Sequence, residues 1–140
     1  EPQNVADARF SIPYGVAVAL HDGNALLAQF TEERIKDQQV IALAKKVEII
    51  VSEPFNSAYP ARWGCAVEIE LESGEILTEV VEDAKGDATN PLSREEFEQK
   101  FIYLTSGVLA EAQAKEVIDM IMHLEDIQDI GQLIACCYQN

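Results

Sequence analysis

The fold of this chain is decided at residues 87–101, which read DATNPLSREEFEQKF. Pro91 disfavours the helical conformation at Asn90, so no helix is expected to run through this point. Ser93 is then placed as an N-cap, and Glu96 follows at the spacing of a capping box. A helix is therefore predicted to begin directly after Ser93.

Upstream of this point the sequence is patterned as strands. Residues 65–71 alternate apolar side chains with glutamates, which predicts a strand with one covered face. Ser73-Gly74 then forms a tight turn, and residues 76–81 return antiparallel. The β-branched run at 48–52 predicts a further strand, whereas the proline-containing stretch at 54–64 predicts a loop.

Helical patterns occupy the rest of the first half. Residues 1–10 are interpreted as an extended lead-in. A short buried helix is predicted from the Ser11 cap to Asp22-Gly23, although periodicity alone leaves a strand as an alternative. Thr31 caps a second helix, within which a break near Asp37 is possible.

The second half is predicted to be helical throughout. Apolar residues recur at helical spacing after Ser93 as far as Gly107, from about 110 to 124, and again after Asp126 or Asp129. The predicted fold class is α+β: a small antiparallel sheet of about three strands, with helices packed on one face, followed by a helical C-terminal tail.

The composition bounds the possible functions. With 25 acidic against 10 basic residues the net charge is −15, which would repel nucleic acid and anionic membranes. No apolar run reaches the ~18 residues of a membrane span. The sequence begins at Glu1 with neither a methionine nor a signal-peptide pattern, so we expect a part of a longer protein.

The three cysteines, Cys65, Cys136 and Cys137, lack the spacing of a metal site. Adjacent cysteines rarely form a disulfide with each other, because that bond requires a particular separation and orientation. Buried, reduced thiols and a cytoplasmic location are therefore expected.

Four blocks of sequence resemble the C-terminal portion of the MmgE/PrpD family, which includes 2-methylcitrate dehydratase, cis-aconitate decarboxylase and iminodisuccinate epimerase. In the family's order, the blocks are ARFSIPYGVAVAL at 8–20, FTEER at 30–34, KGD with NPLS and EEFEQKF inside 85–101, and LEDI at 124–127.

The resemblance implies a division of the chain. Residues 1–88 would be the C-terminal part of a small, lid-like α+β domain. Residues 89–140 would be a helical tail that packs on a large N-terminal helical domain, absent from this sequence. Apolar surface on the tail is then expected to be uncovered, so an isolated chain would self-associate, and a homo-oligomer is predicted.

The resemblance also implies a function, namely the C-terminal domain of a lyase or isomerase similar to 2-methylcitrate dehydratase. Such an enzyme acts on a small polycarboxylate, without metal or organic cofactor. The chain would shape and close the cleft and be inactive alone, because the family's principal catalytic residues precede it. A free-standing, non-catalytic interaction module or split-enzyme subunit is the alternative, and an unrelated acidic binding domain is a third.

Three residues are candidates for a site, each with a structural alternative. His21 would be a proton shuttle or a polar cap at a helix C-terminus. Tyr14 would act in catalysis or be a core aromatic with its hydroxyl bonded to backbone. Lys85 would hold a substrate carboxylate or belong to a hinge turn that needs Gly86. Phosphate loops, metal-ligand clusters, nucleophile triads and basic patches are absent from the sequence.

Overall fold

The computed structural model describes residues 1–138, and it confirms the α+β class. Its described residues form seven α-helices and one antiparallel sheet of two strands, where about three strands were predicted. They belong to two compact units, one of residues 1–57 and one from residue 58 onward. The predicted division at residue 88 concerns whole family members and stays a prediction.

The elements follow one another in chain order. They are α1 (Val5–Arg9), α2 (Ile12–Asp22), α3 (Gln38–Ala44), α4 (Glu53–Ala58), β1 (Cys65–Glu70), β2 (Ile76–Val81), α5 (Arg94–Thr105), α6 (Glu111–Met122) and α7 (Ile130–Cys136). Short 3-10 turns cover Leu27–Gln29, Arg34–Lys36 and Leu124–Asp126.

Helix α2 confirms the helical interpretation of the apolar run after Ser11. The Ser11 hydroxyl accepts a hydrogen bond from the backbone N–H of Tyr14 at 3.2 Å, which caps the helix. Gly23 ends it with a φ of 76°, a left-handed conformation that favours glycine. The buried core of the first unit forms on this helix and on α1, the Arg34–Lys36 turn and α3. It contains Ala8, Tyr14, Ala17, Val18, Ile35 and Val40.

Two expectations for the first unit need correction. Residues 1–10 are not an extended lead-in, since α1 forms where Asn4 accepts a hydrogen bond from the N–H of Asp7 at 2.9 Å. The segment after Thr31 is a 3-10 turn rather than an α-helix. The break near Asp37 is confirmed, because the Asp37 carboxylate caps α3 by accepting from the N–H groups of Gln39 and Val40.

The β-branched run at 48–52 is not a strand, and its prediction was wrong. Among the described residues, β1 and β2 are the only paired strands, and Ile50 is 80% exposed. A strand needs a partner to satisfy its backbone groups, and this run has none among residues 1–138. The predicted loop at 54–64 contains α4, and Tyr59 and Trp63 beyond it remain largely exposed.

The hairpin of β1 and β2 has the predicted antiparallel turn. Its register pairs Val67 with Glu79 and Ile69 with Leu77, so the face that carries the predicted apolar side chains of β1 also carries a glutamate from β2. Every described residue of the hairpin is exposed or half-buried. The expectation of buried thiols is wrong, since Cys65 at the start of β1 and Cys137 are exposed and Cys136 is only half-buried.

The predicted start of α5 is confirmed at Ser93, whose hydroxyl accepts from the N–H of Glu96. The second buried core lies among the three C-terminal helices and contains Leu109, Ala114 and Val117. Helix α7 is capped by Asp129, and its half-buried Cys136 packs against this core. Among residues 1–138, no helix combines the length and the apolar character that a membrane crossing requires.

Candidate functional site

The densest arrangement of polar side chains in the first unit surrounds His21, the next-to-last residue of α2. Its Nδ1 atom lies 2.6 Å from Asp22 Oδ1, and its Nε2 atom lies 3.0 Å from Gln39 Oε1 on α3. The imidazole therefore bridges the end of one core helix and the first turn of another. Its side chain is 33% exposed, so a proton could exchange with solvent.

Asp22 is the centre of this arrangement. Arg34 donates from Nε to Asp22 Oδ2 at 3.2 Å and from Nη2 to Oδ1. The Gln29 side-chain amide donates to Oδ2 at 3.1 Å. The other terminal nitrogen of Arg34 binds the Asp37 carboxylate. We call His21, Asp22, Arg34, Asp37 and Gln39 the His21 cluster.

The electrostatics of the cluster follow from these contacts. The hydrogen bond to Asp22, and next the one to Gln39, raise the pKa of His21 above its ordinary value. The hydrogen bond from His21 is the largest cause that lowers the pKa of Asp22. The backbone N–H groups of Gln39 and Val40 lower the pKa of Asp37. Two cations and two carboxylates thus balance each other when His21 is protonated.

Tyr14 connects the cluster with the buried core. Its side chain is fully buried, and its hydroxyl donates to the backbone carbonyl of Gln29 at 2.6 Å. The ring packs edge-on against Phe30, with centroids 5.6 Å apart. Burial raises the pKa of the Tyr14 hydroxyl. This is the geometry expected of a core aromatic with a backbone-bonded hydroxyl.

Lys85 lies in the second unit, and its Nζ atom is 2.8 Å from Glu96 Oε2. Gly86 beside it has a φ of 96°, so the turn itself requires glycine. The ion pair with Lys85 is the largest cause that lowers the pKa of Glu96. Since the Lys85 side chain is about half exposed, its ammonium could also meet a carboxylate from solution.

An open cavity is found in each unit. A cavity of about 470 Å³ adjoins the Arg34–Lys36 turn, where it is lined by Thr31 and Arg34 among others. A cavity of about 680 Å³ in the second unit is lined by four residues between Val108 and Glu116, among them Gln113, and by residues of α7 that include Cys136. Within residues 1–138, no group of three or more His, Cys, Asp or Glu side chains is arranged to hold a metal ion.

The structure brings two of the three sequence candidates together. His21 and Tyr14 belong to the first unit and are connected by hydrogen bonds through Gln29 and Asp22. Lys85 belongs to the second unit. Sequence reasoning missed Arg34 and Gln39, because they reach His21 from 13 and 18 residues further along the chain. One local signal was present in the sequence: Asp37 stands at the N-cap position of α3, the helix that carries Gln39.

Comparison with known proteins identifies the family of this chain. Residues 1–126 match the MmgE/PrpD C-terminal domain. This match covers both units through the Leu124–Asp126 turn and leaves α7 outside it. The chain belongs to the MmgE/PrpD family.

Three relatives illustrate the similarity. The chain is 33% identical over 128 residues to a cis-aconitate decarboxylase of Aspergillus terreus, covering 90% of this chain and 26% of that protein. It is 29% identical over 136 residues to the human cis-aconitate decarboxylase, covering 94% and 27%. It is 35% identical over 81 residues to the mitochondrial 2-methylcitrate dehydratase of Yarrowia lipolytica, covering 55% and 16%. The chain thus spans about a quarter of the length of the decarboxylases it matches.

Proposed function

We propose that this chain is the C-terminal portion of an MmgE/PrpD lyase or isomerase that acts on a small polycarboxylate. The single observation that carries the proposal is the match of residues 1–126 to the MmgE/PrpD C-terminal domain. In this proposal the chain forms one wall of the substrate cleft and closes over it. Catalysis requires the remainder of the enzyme, so the chain is inactive alone.

The substrate class follows from the relatives and from charge. The relatives are named for cis-aconitate and 2-methylcitrate, both small acids with several carboxylates. Binding such an acid needs cations that are not already neutralised. This chain has a net charge of −15, and Arg34 and Arg62 are held by its own carboxylates. Most of the substrate-binding cations are therefore assigned to the rest of the enzyme.

Within this chain we assign subsidiary roles to the three candidates. His21 can transfer a proton at the exposed edge of the first unit, and Tyr14 supports it through Gln29 and Asp22. Lys85 can bind a substrate carboxylate once it leaves Glu96. The proposal includes no metal and no organic cofactor, since acid–base groups and cations suffice for removing water, carbon dioxide or an α-proton.

The test compares the 140-residue chain with the Aspergillus terreus decarboxylase, using cis-aconitate and 2-methylcitrate and proton NMR of the reaction mixture. The chain alone should give no product, and turnover by it would contradict the proposal. A chimera in which this chain replaces the matching last quarter of the decarboxylase should regain measurable turnover. A folded chimera that binds neither acid would count against the shared function.

The second candidate is a non-catalytic interaction module or split-enzyme subunit of the same fold. The observation that favours it is that each compact unit has its own buried core, one around Tyr14 and one around Val117. The coding sequence upstream of Glu1 separates the two proposals. A reading frame that continues into a helical domain supports the enzyme, whereas a start codon next to Glu1 supports the module.

Location and assembly are part of the same proposal. The three cysteines are free thiols, which supports a reducing compartment such as the cytoplasm. Exposed apolar side chains on the C-terminal helices, among them Phe97 and Ile130, support a homo-oligomer. Cell fractionation tests the first statement and sedimentation equilibrium tests the second.

A further inference from the structure

The His21 cluster contains two hydrogen-bonding arrangements that exclude each other. Asp22 Oδ1 and Gln39 Oε1 are acceptors, and they face the two ring nitrogens at 2.6 and 3.0 Å. Both contacts are satisfied together only when both nitrogens carry protons, which is the imidazolium form. With Gln39 presenting Oε1 to the ring, these two contacts fit a charged His21.

A third neighbour of the ring favours the neutral form of His21. Arg34 Nη2 lies 3.1 Å from His21 Nδ1. A guanidinium only donates, so it can bond to Nδ1 only when that nitrogen has lost its proton. Loss of the proton also brings the lone pair of Nδ1 against the Asp22 carboxylate. In this tautomer the His21–Asp22 contact opens and Arg34 gains an acceptor on the ring, while Nε2 keeps its proton and its bond to Gln39.

We propose that the His21 cluster is a proton-operated latch between the C-terminus of α2 and the N-terminus of α3. In the protonated state His21 ties Asp22 on α2 to Gln39 on α3. In the neutral state the bond to Asp22 is lost and Arg34 turns to the imidazole, so the tie between the two helix ends is reduced to the single His21–Gln39 bond. The inference concerns the conformation of the chain and does not depend on the proposed function.

The charges that face His21 from each neighbouring element are all part of the latch. Asp22 lies on its own helix, Arg34 on the 3-10 turn and Asp37 at the cap of α3, while Gln39 on α3 is uncharged. Two carboxylates face two cations when the ring is protonated, and one negative charge is left over when it is not. Charge balance therefore favours the closed state, consistent with the raised pKa of His21.

The sign of the pH effect follows from this direction. A folded pKa above the unfolded value of about 6.5 means that the latch stabilises the fold fully below that value. The contribution is lost as the pH rises through the higher folded pKa. On the acid side the closed state ends where Asp22 protonates, which happens below the ordinary aspartate range because the pKa of Asp22 is lowered. The latch is closed between these limits.

Nitrogen-15 NMR of the histidine rings tests the proposal on the 140-residue chain, with signals assigned by comparing His21→Gln and His123→Gln. His21 should titrate above pH 6.5, with both nitrogens protonated in the low-pH form. Asp22→Asn should lower its midpoint, and Gln39→Met should lower it to a smaller extent. If Asp22→Asn fails to fold, Gln39→Glu is the substitute, because a carboxylate at that position should raise the midpoint.

Hydrogen exchange provides the structural readout. The protection factor of the Gly23 amide, which bonds to the Ala19 carbonyl at the end of α2, should fall several-fold from pH 6 to pH 9 in the parent chain. It should be independent of pH in His21→Gln and unchanged from the parent in His123→Gln, where an exposed imidazole on the second unit is removed.

A His21 midpoint at or below pH 6.5, or the same pH dependence of the Gly23 protection factor in His21→Gln as in the parent, would overturn the latch. Neither measurement involves substrate turnover, so failure here is distinguishable from failure of the proposed function.

Discussion

Ser93 and Glu96 exchange hydrogen bonds across the first turn of α5. The Ser93 hydroxyl accepts from the N–H of Glu96 at 3.2 Å, and the Glu96 carboxylate accepts from the N–H of Ser93 at 2.7 Å. Two backbone donors that the helix cannot satisfy are thereby bonded. Helix α5 packs on α6 through Phe101 and Ile102, so this cap supports the second core.

Removal of the cap should destabilise the second unit. Ser93→Ala is expected to lower the free energy of unfolding by about 1 kcal/mol, because it leaves the N–H of Glu96 without its partner. Ser93→Thr retains a hydroxyl and should keep most of the stability. Urea unfolding followed by circular dichroism measures both, since the second unit contains α5, α6 and α7. Equal stability of the alanine and threonine variants would refute the role of the cap.

The same capping pair explains which parts of the fold were predictable. Ser93, Ser11 and Asp37 act on backbone groups within three residues of themselves, so their helices or breaks could be inferred from local sequence. The run at 48–52 has strand-forming residues, but a strand also requires a neighbour at a distant position. Local sequence does not contain that information, and the third strand was therefore predicted wrongly.

The candidate site shows the same limit. His21 was identified from its place beside Asp22 and Gly23, which are adjacent in sequence. Its other partners, Arg34 and Gln39, are brought to it only by the packing of α2 against the following turn and α3. Sequence reasoning could therefore propose the histidine, but it could not predict the arrangement of charges that controls its protonation.

The buried hydroxyl of Tyr14 offers a test of the core role against the catalytic one. Tyr14→Phe removes the 2.6 Å bond to the Gln29 carbonyl and should destabilise the chain by about 1 kcal/mol in thermal or urea unfolding followed by circular dichroism. Tyr59→Phe is the matched control, since Tyr59 is 59% exposed and should change little. If the two variants are equally stable, the hydroxyl of Tyr14 does not support the fold.

The cap of α3 should make the first unit sensitive to acid. The folded pKa of Asp37 is lowered by the N–H groups of Gln39 and Val40, so its contribution to stability is present above the unfolded value. That contribution is lost as the pH falls through the lower folded pKa. Asp37→Asn should keep much of the cap and flatten the fall in melting temperature between about pH 5 and pH 2, whereas Asp37→Ala should lower stability throughout. An unchanged acid profile in Asp37→Asn would count against this assignment.

The proposed contact between Lys85 and the substrate can be tested, because the negative charge of its partner Glu96 can be removed while the cap of α5 is kept. In an active enzyme that contains this chain, Lys85→Ala should raise KM for the polycarboxylate about tenfold with little change in kcat, as expected for a lost charge-assisted contact. Glu96→Gln removes the charge that holds Lys85, yet glutamine also serves at the third position of a capping box, so α5 should remain intact. This variant should lower KM, because the ammonium is freed for the substrate. Lys100→Ala, an exposed lysine of the same helix, controls for the general loss of positive charge. Steady-state kinetics of all three variants give the KM values that decide between the two roles. If Lys85→Ala has the KM of the control and Glu96→Gln has that of the parent, Lys85 belongs to the turn before α5 and does not contact the substrate.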